Sequence, residues 1–259
     1  MQIFETLDST QIEAKRQIDV KKTIINDAIL ANEQTAGVST KKQFPWISKK
    51  GDLNITIIKN IDGVKKQGNI LLNHLPFCSS IATNDVILEM CSGLSVYDVI
   101  SNETNNLKIV FKWPNDLLVY NQKSNPKYKK VCGVLCEIYK GHFIVGIGLN
   151  LLSFPETTEH FKATSIENET GIKLNNIDMA KKIIEKFDSN IQIVQKYGFS
   201  AIKNKWKENA YMLGEKLTLR DNGVVFFEDI TDEGYILART KTGEKKIIIS
   251  SDDVIGPCI

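Results

Sequence analysis

The run Phe111–Tyr120, FKWPNDLLVY, has apolar, strand-like ends and a middle that a central strand does not tolerate. Lys112, Trp113, Pro114, Asn115 and Asp116 stand side by side. Proline has no N–H for a sheet ladder and is confined to edges, strand ends and bulges. The fold must therefore contain a strand that breaks at residue 114, and the break carries a cation, an indole, an amide and a carboxylate. LKIVFKW reads as a strand that stops at Pro114, and LLVY as its resumption. Composition alone leaves a plain edge bulge with a turn open, because Pro, Asn and Asp all favour turns.

The flanking segments alternate between strands and helices. Residues 1 to 7 read as a short strand, and LDSTQIEAKRQI starts a helix in which Thr10 and Glu13 fit the S/T-x-x-E capping box. DAILANEQTAG reads as a strand leaving into a polar loop, and DLNITIIKN as a β-branched strand. LPFCSSIATNDVILEMCSGL has Phe77, Ile81, Val86, Leu88 and Met90 largely in step for a buried helix. NQKSNPKYKK is a polar, basic hairpin loop, and KVCGVLCEIYKGHFIVGIGLNLL is two strands joined at Lys140–Gly141. Two amphipathic helices follow, the first ending at Gly198. From Gly214 the texture changes to four short strands with turns at Asn222–Gly223, Glu233–Gly234 and Thr242–Gly243. The expected organisation is an α+β domain over residues 1–213 and a small all-β module over 214–259.

Bulk properties exclude some function classes. The net charge of +2 gives no reason to expect nucleic acid or an anionic membrane as partner. No apolar run approaches a membrane span, and MQIFETLDST lacks a signal pattern. The five cysteines are scattered, and only Cys132 and Cys136 are close, on one face of a strand. They read as reduced packing groups in a cytoplasmic protein. No histidine or second cysteine pair completes a metal set, so no protein-held metal is expected. His74, His142 and His160 fall outside every motif.

Two further runs join the broken strand. KKVCGVLCE places Lys130 at a strand start and Gly133 inside it, and GIGLN places Gly146, Gly148 and Asn150 at a strand end. Glycine inside a strand marks close approach of a ligand or another backbone. Lysines, an Asn–Asp pair and glycines together suit an anionic ligand bearing phosphate.

In that order, KWPND, then K-V-C-G-V-L-C-E, then G-I-G-L-N resembles the core of biotin protein ligases. LDST and the NEQTAG of residues 32–37 match the family's D-S-T and Q-x-x-G. The resemblance is to the short class without a DNA-binding segment and covers nearly the whole chain. It implies a class II synthetase-like catalytic domain, a mixed sheet with flanking helices, followed by a small β-barrel of Src-homology-3 type. It also implies the reaction. Biotin's carboxylate attacks the α-phosphate of ATP, assisted by Mg²⁺, to give biotinoyl-adenylate. A lysine of a biotin carboxyl carrier protein then takes the acyl group and AMP leaves.

By resemblance, Lys130 is the cation between biotin carboxylate and α-phosphate. Lys112 and Asp116 serve the nucleotide and metal side, with Asp116 also orienting the carrier lysine. Trp46, Asn115 and Asn150 lie near the nucleotide. Ser9, Thr10, Gln11 and Gln34 grip the ureido ring, and Gly37, Val38 and Ser39 belong to the loop over it. Gly133 lets the ligand lie against its strand. Trp113 and Pro114 shape the wall. In this family that loop is rich in arginine and glycine; here it reads AGVSTKKQFPWIS, where Lys41 and Lys42 offer charge. Two other readings stay open: a lipoate-type acyl ligase, and a biotin- or carrier-binding module without catalysis. A homodimer is compatible with the sequence, which does not decide it.

Overall fold

The β-branched run NITII forms the middle strand of the molecule, β3 (Leu53–Asn60), buried along most of its length. The computed structural model describes residues 1–21, 27–40, 45–60, 85–105, 107–156 and 161–257. β3 lies inside a seven-stranded sheet with β1 (Gln2–Leu7), β2 (Asp27–Gln34), β4 (Ile109–Lys112), β5 (Asp116–Tyr120), β6 (Tyr128–Tyr139) and β7 (His142–Leu149). The order is β1-β2-β3-β7-β6-β5-β4, with β1 parallel to β2 and the other pairs antiparallel. The sheet is therefore mixed, as expected.

Strand alternation sorts the side chains to two cores. Ile55 and Ile57 of β3 and Val145 and Ile147 of β7 join the larger core. Ile58 and Ile144, on the opposite face, pack with Ile29 against Ala14 and Ile18 of α1 (Thr10–Lys21). The larger core is covered by α2 (Asp85–Glu103), α4 (Asn176–Tyr197) and α5 (Ser200–Lys207), with the short α3 (Ile166–Thr170) before α4. Each apolar side chain removed from water there contributes about 1.5–3 kcal/mol. α4 is framed as its ends predict: Asn175 accepts from the N–H groups of Ile177 and Asp178, and the helix stops at Gly198.

A second, five-stranded sheet has the order β11-β10-β9-β8-β12, from β8 (Lys216–Leu219), β9 (Val224–Ile230), β10 (Ile236–Thr240), β11 (Lys245–Ile248) and β12 (Val254–Pro257). Its inward residues, Phe227 and Ile236 among them, belong to the same core as the large sheet. The indole N–H of Trp113 also donates to the carbonyl of Gly234, at 2.7 Å, in the β9–β10 turn.

Four expectations need correction. The strand broken at Pro114 does not resume: β4 and β5 are antiparallel, with Lys112 opposite Asp116, so WPN is a hairpin turn. Such a turn and a kinked strand draw on the same residues. The helix expected over 75–94 is described only from Asp85, and it runs nine residues further, to Glu103. The capping box is one residue out of frame. Ser9, not Thr10, takes the N-cap place, its hydroxyl accepting the Gln11 N–H at 3.2 Å, which frees the Thr10 hydroxyl for other partners. Finally, the C-terminal sheet has a fifth strand, β12, which the reading missed. Among the described residues no helix is long and apolar enough to cross a membrane.

Candidate active site

Strand register assembles the site. Asn54 of β3 lies opposite Gly148 of β7, Gly148 opposite Gly133 of β6, Gly133 opposite Asp116 of β5, and Asp116 opposite Lys112 of β4. Directly opposed residues share a face, so the five form one row on the α1 side of the sheet. With strands about 4.8 Å apart, three steps separate Asn54 from Asp116 by roughly 14 Å. The two glycines between them leave a floor without side chains of its own, on which the Trp46 ring lies. Above it opens a cleft of about 490 Å³, part of it continuous with solvent.

One end of the row is polar and uncharged. Gln34 Oε1 accepts both the Thr10 backbone N–H, at 2.8 Å, and the Thr10 hydroxyl, at 3.1 Å. A backbone N–H can only donate, so the Gln34 oxygen must face Thr10 and its NH₂ must face Asn54 Oδ1, 3.4 Å away. Thr56, fully buried on the next row, has its hydroxyl 2.8 Å from that of Thr10 and 3.2 Å from Gln11 Oε1. Ser9, Thr10 and Gln11 reach the cleft because α1 starts beside it.

The other end is charged. Lys130 Nζ sits 2.6 Å from Asp116 Oδ1, and Lys112 Nζ 3.4 Å from Asp116 Oδ2. Burial pushes the Asp116 carboxyl up, but the two lysines outweigh it and hold the group below the usual carboxylate range. Lys130 is well anchored. Its N–H donates to Lys162 O and its carbonyl accepts from Thr164 N–H, while neighbouring Lys129 pairs with Glu169 at 3.1 Å. Asn115 ties the hairpin turn to β6: its amide donates to Val134 O at 2.8 Å, and its carbonyl accepts the Val134 N–H at 2.9 Å.

The cleft gathers most of the residues singled out in the sequence. Ser9, Thr10, Gln11 and Gln34 line the polar end; Val38 and Ser39 also line the cleft, with Lys130 and Gly133. Trp46, Asn115 and Asp116 line it too. Gly37 stands behind Trp46, with its Cβ position only 2.3 Å from the Trp46 carbonyl. Lys112 reaches the cleft through Asp116. Asn150 does not line it; it is buried with its amide on Thr164 O at 2.9 Å. Lys41 and Lys42 lie outside the described residues. Sequence reasoning missed Asn54 and Thr56. Their signal was two polar residues, two apart, on one face of an otherwise apolar strand. Among the described residues no three His, Cys, Asp or Glu side chains gather to hold a metal. Burial pushes the thiols of Cys132 and Cys136 up, away from nucleophilic use.

The glycines of GIGLN make room for side chains. A Cβ at Gly148 would sit 2.3 Å from the Trp46 ring, and one at Gly146 2.8 Å from Gln11 Oε1. The indole lies on the glycine floor and donates its N–H to Asn54 Oδ1 at 2.9 Å. Gly148→Ala is therefore expected to lift Trp46 off the floor. The other two tryptophans, Trp113 and Trp206, are buried, so the fluorescence change reports Trp46. Emission should move to the red in the variant; unchanged emission would mean the indole does not rest there.

Residues 3–151 match the model of the biotin/lipoate A/B protein ligase family. Over 243 residues the chain is 30% identical to the bifunctional ligase/repressor BirA of Bacillus spizizenii, covering 88% of this chain and 66% of that protein. The match thus spans just under two thirds of that relative. The biotin–[acetyl-CoA-carboxylase] ligase of Paracoccus denitrificans is 25% identical over 233 residues, covering 85% of this chain and 86% of its own. Among solved structures, the biotin protein ligase from Aquifex aeolicus in complex with biotin and ATP superposes with a TM-score of 0.73 at 26% identity, covering 96% of this chain and 95% of that one.

Proposed function

Because the chain belongs to the biotin/lipoate A/B protein ligase family, we propose that it activates biotin with ATP and transfers it to a lysine of a biotin carboxyl carrier protein. One observation carries this: a single row joins an uncharged donor–acceptor cluster to a Lys130–Asp116–Lys112 cluster across a glycine floor. A flat polar ring fits the first end, and an acyl-phosphate junction the second.

In the first step a biotin carboxylate oxygen forms a bond to the α-phosphorus, and the bond to pyrophosphate breaks. Two anions meet, so the step needs fixed positive charge beside the junction. Lys130 is proposed to supply it, exchanging its contact with Asp116 for phosphate and carboxylate oxygens. Asp116 then stays ionised, held so by Lys112. Mg²⁺, when bound, neutralises charge on the triphosphate and is held mainly by it. Asp116 fits as a protein contact, being the one carboxylate that lines the cleft among the described residues. In the second step the neutral amine of the carrier lysine attacks the acyl carbon and AMP departs. Asp116 is proposed to orient that amine, whose proton is released to solvent as the amide forms.

Residues 1–213 are proposed as the catalytic domain and residues 214–259 as a small β-barrel of Src-homology-3 type, in a cytoplasmic protein. The second, separate sheet supports the latter. The names of the relatives support a carboxylase carrier as partner. A ureido-specific cluster should reject lipoate, whose dithiolane offers it neither an N–H nor a carbonyl. Incubation with biotin, ATP, Mg²⁺ and a biotin carrier domain should add the mass of one biotin to the carrier. No gain with biotin, or an equal gain with lipoate, would defeat the proposal.

A further inference from the structure

Gln11 is 3% exposed, and the nitrogen end of its amide meets groups of fixed character. Its Nε2 lies 2.8 Å from Glu137 Oε2 and 3.3 Å from the Ile144 carbonyl. A carboxylate and a carbonyl only accept. The NH₂ must therefore point at Glu137, and the oxygen must point the other way, toward Thr56 and the cleft. Glu137 is itself held from outside by Lys15, 2.7 Å from Oε1. It stands on the row of Ile58 and Ile144, two rows from the glycine floor, and does not line the cleft.

The Thr56 hydroxyl has one proton and two acceptors in range, Thr10 Oγ1 at 2.8 Å and Gln11 Oε1 at 3.2 Å. The Thr10 hydroxyl gives its own proton to Gln34 Oε1, so Thr10 Oγ1 accepts the nearer Thr56 proton. Gln11 Oε1 is left as an acceptor with capacity to spare, opening on the cleft. Gly146 keeps that side clear, since its Cβ would sit 2.8 Å from this oxygen. The cleft thus offers an acceptor at Gln11 and a donor at Gln34.

We infer that Glu137, clamped by Lys15, is a positioning residue that fixes the Gln11 amide oxygen toward the cleft as the acceptor for an N–H of the ligand's ring. This rests on the biotin-ligase reading and adds to it how an N–H-bearing head group is selected. Without the carboxylate the amide is free to turn, held only by the weaker Ile144 contact, and in the turned state it meets the ring with a donor. A charge-assisted hydrogen bond is lost outside the cleft, and the effect is read inside it.

The test measures biotin affinity by calorimetry and steady-state pyrophosphate release on full-length variants whose melting is checked. Glu137→Leu should raise the biotin Kd and KM about tenfold, leaving the KM for ATP unchanged and kcat at saturating biotin within twofold. Glu137→Gln still offers Gln11 an amide oxygen, so it should recover to within about threefold of the parent. Gln11→Ala combined with Glu137→Leu should bind no more weakly than Gln11→Ala alone, because both act through one contact. Lys15→Met, a part-exposed change that leaves the cleft intact, should give a smaller loss of two- to threefold; it provides the same readout if Glu137→Leu fails to fold. Parent-like biotin affinity in a folded Glu137→Leu protein, or multiplied effects in the double variant, would overturn the role of Glu137. If the parent itself binds no biotin, the ligase reading fails, and that result is distinct.

Discussion

Replacing Lys130 by alanine is expected to lower biotin-dependent pyrophosphate release by at least about 10²–10³, the usual cost of removing one preorganised charge-stabilising donor. The loss should appear in kcat, because Lys130 is aimed at charge that develops during the reaction, while the polar end of the row that holds the ring is untouched. The fold should survive. Lys130 Nζ meets Asp116 at the edge of the cleft, and Lys112 remains as a second partner for that carboxylate. Stability should fall by only about 1–2 kcal/mol, less than the cost of orphaning a fully buried charge. Lys130→Arg should not restore the rate, since a planar guanidinium fork does not place its charge where the compact ammonium stands. Near-parent turnover in Lys130→Ala would remove this lysine from the chemistry.

Glu89 supplies the second large effect, on stability. It lies in α2, 7% exposed, and burial pushes its carboxyl up to about 8, with Asp85 and Asp116 adding to the shift and the Cys136 N–H opposing it. In the unfolded chain a glutamate titrates near about 4.3. Between those values the folded protein holds a proton that the unfolded chain has released. The stability this proton contributes is therefore complete below the unfolded value and is lost as pH rises through about 8. The slope is up to about 1.4 kcal/mol per pH unit, which amounts to a few kcal/mol across the window. Glu89→Gln keeps an acceptor for Cys136 and cannot ionise. Urea unfolding of the parent and the variant at pH 5.5 and 8.5 should show the variant gaining on the parent by roughly 2 kcal/mol or more at the higher pH. A gap that stays the same at both pH values would show that Glu89 titrates normally.

The residues of the candidate site were largely legible in the sequence; their arrangement was not. Lys130 and Asp116 stood out as charged residues in strand segments, and Ser9 and Gln34 through the resemblance of LDST and NEQTAG to biotin protein ligases. That Asn54, Gly148, Gly133, Asp116 and Lys112 form one row depends on the register of five strands, and register is set by long-range pairing that no local window contains. The hairpin at WPN was misread as a kink because turn residues say that a strand ends, without saying where the chain goes next. Ser9 and Thr10 both suit an N-cap, so only the hydrogen bond from Gln11 N–H decides between them. Asn54 and Thr56 stayed hidden for a different reason. Threonine is an ordinary strand residue, and a single asparagine in NITII reads as a strand start. The glycines of GIGLN were correctly marked for close approach, but what approaches them is Trp46 and Gln11, from segments far away in sequence.

The central claim is that the charged end of the row activates a carboxylate held by the polar end. Pyrophosphate release from ATP and Mg²⁺ tests it most directly, measured with biotin, with lipoate and with neither, and with carrier domain absent so that only the first step is read. The account predicts release that requires biotin, stops near one equivalent per enzyme until carrier is added, and does not occur with lipoate. Biotin binding without any release would contradict it, and so would release that is the same whether or not biotin is present.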